Sequence, residues 1–215
     1  MGRGDTLHEG RTVIAIVDYG VGNLFSLCAS LKKIGAEAIV TRDPEVLTKA
    51  DKIILPGVGA FGDAMDKLES TGLVPHIKKL AAEGKPFMGI CLGMQLLFDR
   101  SFEFGEKQGL GFIKGSVCAL ADDIPTTLKV PHMGWNALDI VKKDEPLLEY
   151  VKQGECVYYV HSFYAKDCDE SVAAYSDYST RVPGIVRRGN VCGCQFHPEK
   201  SGETGLNILR AFAEV

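Results

Sequence analysis

Cys91 sits in the run Phe87-Met88-Gly89-Ile90-Cys91-Leu92-Gly93-Met94-Gln95, with a glycine two residues to either side. A short apolar stretch that ends in a potential nucleophile between two glycines describes a sharp strand-to-helix turn with a strained backbone. At a helix start, free N–H groups and partial positive charge favour a thiolate over a thiol. A thiol nucleophile also needs a base, and the base is usually steered by a third group. Of the five histidines, His8 lies in a polar terminal stretch and His76 in a surface-like helical one, which leaves His132, His161 and His197. His197 stands in Gln195-Phe196-His197-Pro198-Glu199; the proline stiffens the turn and Glu199 follows two residues beyond the imidazole. A Cys91–His197–Glu199 triad built from two strand ends is physically sound on this spacing. So is the plainer pairing of a packed core cysteine with a satisfied surface histidine. Cys192 and Cys194, with His197 three residues on, raise a metal site. No second pair with ligand spacing accompanies them, and packing of both thiols against a helix layer is the better reading.

The surrounding elements decide whether these residues can meet. Residues 12–18 are a near-continuous β-branched apolar run, the signature of a strand covered on both faces. Helical spacing follows in Leu24, Leu27, Leu31 and Ile34, then a strand at 36–41, a short helix from Pro44 and a strand at 52–55. The last ends in Pro56-Gly57-Val58-Gly59, and helical sequence with a break near Gly72 leads to the strand before Cys91. This alternation predicts βαβ units and a parallel sheet, with ligand sites at the carboxyl ends of its strands. Asp18-Tyr19-Gly20, Pro56-Gly57 and Cys91 are therefore expected along one edge. The second half reads differently: short strand-like segments at 111–120, 136–141, 155–160, 171–175 and 181–186 alternate with turn sequences. They predict an antiparallel layer joined to the parallel sheet, closed by a strand at 191–196 and an amphipathic helix at 205–215.

Composition bounds the class. A chain of 215 residues with 46% apolar and 24% charged residues fits one soluble α/β domain. The formal net charge of −4 argues against nucleic acid or an anionic membrane as the main partner. No apolar run reaches the roughly 18–20 residues of a membrane span. Seven scattered cysteines point to a reducing cytoplasm rather than a disulfide framework. Residues 1–11 read as a disordered extension, without a secretory signal, and residues 12–215 as the folded domain.

Gly-Ile-Cys-Leu-Gly-Met-Gln at 89–95, followed at a distance by Gln-Phe-His-Pro-Glu at 195–199, resembles the class I, triad-type glutamine amidotransferases. Four further segments are similar to one branch, the glutaminase subunits of imidazole glycerol phosphate synthases: 17–24, 56–65, 130–136 and 158–164. The similarity runs from about residue 12 to the C-terminus; Cys194 stands where an aliphatic residue is expected.

The resemblance implies a flavodoxin-like three-layer sandwich, a mostly parallel central sheet with helices on both faces and a smaller antiparallel layer. It makes Cys91 the nucleophile, His197 the general base and acid, and Glu199 its orienting group. The Leu92 N–H, next to the nucleophile, suits an oxyanion donor; the family places the second donor on Val58 or Gly59. Gln95, one helical turn beyond Cys91, is implied to hold the amino-acid end of L-glutamine with backbone groups around His161, Ser162 and Phe163. No cofactor and no metal are implied. The implied partner is a (βα)8-barrel cyclase subunit forming a heterodimer, docked on a face that includes Tyr19, Tyr158 and Lys200. Rival readings are another class I glutaminase, serving pyridoxal phosphate, anthranilate or purine synthesis, a cysteine-elbow hydrolase, and a silent binding module.

Overall fold

Residues 11–215 are described by a computed structural model. The extension expected over residues 1–11 lies outside the described residues except for Arg11. The β-branched run forms β1 (Val13–Val17), and α1 (Leu24–Lys33), β2 (Glu37–Thr41), α2 (Pro44–Lys49) and β3 (Lys52–Gly57) follow. Next come α3 (Phe61–Ser70), α4 (Val74–Ala82), β4 (Phe87–Cys91), α5 (Leu92–Gln95), β5 (Phe98–Ser101), β6 (Lys107–Gln108) and β7 (Ile113–Ala119). The second half holds β8 (His132–Ala137), β9 (Asp139–Ile140), β10 (Cys156–His161), β11 (Phe163–Lys166), β12 (Val172–Asp177), β13 (Arg181–Arg188), β14 (Val191–Cys194) and α6 (Gly202–Glu214).

Eight strands form the main sheet in the order β2-β1-β3-β4-β14-β13-β12-β9. The pairings from β2 through β14 are parallel, and those from β14 to β9 are antiparallel. Alternate residues of β1 enter opposite cores, as a doubly covered strand requires. Ala15 and Val17 face Phe61, Met65, Leu68, Ile77 and Leu80 of α3 and α4, while Ile14 and Ile16 face Leu27 and Leu31 of α1 and Ile208, Leu209 and Phe212 of α6. Cys192 and Cys194 are fully buried in this second layer, the packing role expected of them.

Three features depart from the sequence reading. The run after Cys91 is helical only over Leu92–Gln95, because Phe98-Asp99-Arg100-Ser101 turns extended and pairs in parallel with β7. A single turn aligns too few peptides for much of a helix dipole, so polar support for the Cys91 sulfur falls to side chains. Antiparallel strands β9, β12 and β13 extend the main sheet itself, while β8–β10 form a two-stranded ribbon and β11-β7-β5-β6 a separate small sheet. Strands β5 and β6 are too short and too polar, and β11 too short, to be distinguished in the sequence from the loops around them.

Cys91 sits at the sheet's carboxyl edge with φ 54° and ψ −113°. A Cβ on Gly93 would lie 1.8 Å from the Leu55 carbonyl oxygen, and one on Gly89 would lie 2.5 Å from that of Gly93. These two positions need glycine because backbone passes against backbone. Gly93→Ala is expected to lower unfolding free energy by more than about 3 kcal/mol. Gly62→Ala, in α3 with no atom near the added methyl, should stabilise by roughly 0.5–1 kcal/mol. Urea unfolding of both variants checks the contrast.

Candidate active site

β4 lies between β3 and β14 in the sheet, so three parallel strands deliver the expected residues to one edge. β4 ends in Cys91, β3 runs into Val58 and Gly59, and β14 leads through Gln195 to His197 and Glu199. A cavity of about 450 Å³ opens there, lined by Val58, Gly59, Cys91, Leu92, Gln95, Glu103, Phe104, Pro131, Val160, His161, Ser162, Phe163 and His197.

His197 Nδ1 donates to Glu199 Oε1 at 2.8 Å, and the His197 ring and the Cys91 thiol line the same cavity wall, near enough for the sulfur to act on the imidazole. Both side chains of the His–Glu pair are almost completely buried. Burial alone would drive the imidazole toward its neutral form, but the interactions of the ring with Cys91 and with the Glu199 carboxylate, which accepts from it, outweigh burial and raise the His197 pKa to about 10. The backbone is anchored as well. His197 N donates to Tyr158 O at 2.9 Å, and Ser201 Oγ donates to His197 O at 2.6 Å. Glu199 Oε2 is buried with no partner among the described residues. This leaves Oε1, bonded to His197, as the only oxygen of the carboxylate that a hydrogen bond stabilises.

Gln95 Nε2 donates to Phe163 O at 2.9 Å and to Gln195 Oε1 at 3.0 Å, so both amide protons are used. Its Oε1 is left as an acceptor for a ligand donor. Gln195 Nε2 reaches Cys91 Sγ at 3.9 Å, a second polar contact to the sulfur. Gln195 has no role in the sequence reading, yet a fully buried glutamine at a strand end is a legible sign of a polar network. Glu103 was also missed. Its Oε2 accepts from Phe61 N at 2.7 Å, burial raises its pKa, and it brings a carboxyl group into the cavity beside Gln95. The signal is a lone acid between Phe102 and Phe104.

Val58, Gly59, Leu92, His161, Ser162 and Phe163 all reach the cavity wall. Of the residues expected on a docking face, Lys200 is exposed and Tyr158 is half-buried, its ring edge-on to Trp135 with 6.0 Å between centroids. Tyr19 differs: it is buried, and its hydroxyl donates to Pro56 O at 2.7 Å. It braces the β3 loop from beneath and offers no exposed surface, because the short turn at Gly20 folds the ring inward. Exposed apolar side chains include Phe104 (91%) and Val58 (43%) on the cavity wall and Met133 (60%) and Trp135 (58%) on β8.

Comparison with known proteins agrees over nearly the full length. The family described as glutamine amidotransferase class-I matches residues 15–215. Imidazole glycerol phosphate synthase subunit HisH of Bacillus cereus is 51% identical, covering 94% of this chain and 95% of the relative. The subunit of the same name from Caldanaerobacter subterraneus is 48% identical, covering 94% and 98%. Among solved structures, that of PurLQS from Thermotoga maritima superposes with a TM-score of 0.74 at 23% identity, covering 95% of this chain and 98% of that one; it shares the fold.

The titration of His197 sets a pH dependence. Its folded pKa of about 10 lies above the ordinary 6.5, so its contribution to stability is fully present below pH 6.5 and is lost as pH rises through about 10. Glu199→Gln removes one of the groups that raise it. The variant's stability, followed by urea midpoint, should therefore fall less than wild type between pH 6.5 and 10; equal slopes would contradict the assignment.

Proposed function

The chain belongs to the class I glutamine amidotransferases, and on that premise we propose that it is the glutaminase subunit of an imidazole glycerol phosphate synthase. It hydrolyses L-glutamine to L-glutamate and ammonia and passes the ammonia to a cyclase subunit. The observation that carries the reading is the convergence of Cys91 and His197 on one cavity at the sheet edge, with Glu199 bonded to the imidazole.

Each step follows from the local chemistry. The Cys91 thiolate, paired with a protonated His197, attacks the carboxamide carbon of glutamine. The developing oxyanion is met by the Leu92 N–H and by an N–H of the Val58–Gly59 segment, both at the cavity wall. His197 gives its proton to the departing ammonia, leaving a glutamyl thioester. Formation of the thioester consumes the thiolate charge that helped hold the proton on His197, so the imidazole is now fit to act as base. It takes a proton from water, the hydroxide attacks the thioester, and glutamate leaves with Cys91 restored. Gln95 Oε1 and the Glu103 carboxylate accept from the ammonium group of the substrate, and backbone groups of His161, Ser162 and Phe163 hold its carboxylate end.

Released to water, ammonia would protonate and lose its nucleophilicity, which favours direct delivery to a bound partner. The exposed apolar side chains of Met133 and Trp135, with Tyr158 and Lys200 nearby, give such a partner a docking face beside the triad. We assign it to a (βα)8-barrel cyclase that forms a heterodimer in the cytoplasm. That subunit converts N′-[(5-phosphoribulosyl)formimino]-AICAR ribonucleotide to imidazole glycerol phosphate and AICAR ribonucleotide, in L-histidine biosynthesis.

Glutaminase turnover of this subunit should be low alone and should rise when the cyclase and its ligand are added; equal turnover in both states would overturn the assigned coupling. Cys91→Ala should reduce turnover in the complex by at least about 10³-fold. Glu103→Gln should act on KM, by about tenfold, with little effect on kcat.

A further inference from the structure

A continuous chain of hydrogen bonds connects strand β8 to the Cys91 thiol, and it passes through two buried histidines to which the reaction assigns no step. His132 and His161 face each other across the β8–β10 ribbon, both nearly inaccessible to solvent. His161 Nδ1 lies 2.9 Å from Phe163 O, and a carbonyl can only accept, so the proton is on Nδ1. In a neutral ring Nε2 is then an acceptor, and His132 Nδ1 donates to it at 2.9 Å. That leaves His132 Nε2 to accept from Asn136 Nδ2 at 3.3 Å. The Asn136 amide also donates to Asp177 O at 2.7 Å, and its Oδ1 accepts from Ala137 N at 2.8 Å, which fixes its orientation.

One arrangement of protons satisfies every member of this chain. A proton added to His161 would set two N–H groups against each other across the contact between the rings, and one added to His132 would set its Nε2 against the Asn136 amide. Burial works against that proton, holding the pKa of His132 down to about 4 and that of His161 to about 3. His132 is further clamped between the rings of Tyr159 and Tyr178, at centroid distances of 4.7 and 4.1 Å.

The far end of the chain is the substrate pocket. Phe163 O takes a second hydrogen bond from Gln95 Nε2, which also bonds Gln195 Oε1, and Gln195 Nε2 reaches Cys91 Sγ. The Gln95 amide can present Oε1 to a substrate only if both protons of Nε2 stay engaged. One of those protons rests on a carbonyl that His161 holds in place.

We propose that His161 and, through it, His132 are positioning residues for glutamine binding. They fix the Phe163 carbonyl, and with it the Gln95 amide, in the orientation that accepts the substrate ammonium. This inference rests on the glutaminase reading above. It assigns both histidines to substrate affinity and neither to proton transfer.

The test is glutamine-dependent turnover of the subunit assembled with its cyclase partner. His161→Phe keeps a ring and removes both nitrogens; KM should rise about tenfold or more, with kcat within about threefold of wild type. His161→Asn, whose amide nitrogen can take the place of the ring Nδ1, should bring KM back to within about threefold. A merely space-filling role predicts the reverse, because Asn fills the site less well than Phe. His132→Phe and His132→Asn should repeat the pattern with smaller amplitude, and they decide the question alone if His161→Phe does not fold. An unchanged KM in His161→Phe, or equal defects in the Phe and Asn variants, would overturn the inference while wild-type turnover left the function standing. Absence of turnover in the wild-type complex would remove both.

Discussion

The active-site edge depends on a steric constraint at the end of β4. Cys91 is held in the left-handed region of backbone space, a conformation that costs of the order of 1–3 kcal/mol for a residue with a side chain. The cost is sustained because β4 is the buried centre of a sheet, flanked by β3 and β14, and because Gly89 and Gly93 let the chain reverse against the Leu55 carbonyl. This tight crossing brings the turn after β3 within a few ångströms of the elbow, and Tyr19 ties that turn down through Pro56. The imidazole arrives from the other neighbour, β14, and is pinned to β10 by its own backbone N–H. Parallel pairing puts all these strand ends on one side; the strained elbow makes the sulfur the point on which they converge.

Electrostatics then divides three buried histidines by their partners rather than by their depth. His197 lies between a thiol and a carboxylate, and these partners overcome the burial that would otherwise strip its proton. His132 and His161 have only neutral groups as hydrogen-bond partners, so burial wins and both stay neutral. Within one small region the fold thus keeps one imidazole charged, ready to give up a proton, and two uncharged, each donating from one defined nitrogen. In the proposed reaction the charged ring serves the chemistry, and the neutral pair is assigned to holding the groups that hold the substrate.

Much of this was legible in the residues. The β-branched runs named the central strands, the glycines around Cys91 named the elbow, and the proline in Phe196-His197-Pro198-Glu199 placed the carboxylate within reach of the ring. What escaped depended on contacts between distant segments. Glu103 and Gln195 look like ordinary polar residues until the fold turns them toward one cavity. The single-turn α5 could not be separated from β5, because Leu96, Leu97 and Phe98 satisfy a helical and an extended pattern equally well. Tyr19, expected on the docking face by resemblance, is inside because its hydroxyl finds a buried carbonyl. The tautomers of His132 and His161 belong to three-dimensional neighbours alone.

In the proposed reaction the sulfur of Cys91 attacks the carboxamide carbon of glutamine. The most direct measurement is exposure of the assembled complex to 6-diazo-5-oxo-L-norleucine, a glutamine analogue carrying an electrophilic carbon, followed by peptide mapping by mass spectrometry. One adduct per glutaminase subunit is expected, on the peptide bearing Cys91, formed in step with loss of glutaminase turnover and prevented by excess L-glutamine. Full loss of turnover with Cys91 unmodified, or labelling that glutamine does not slow, would contradict it.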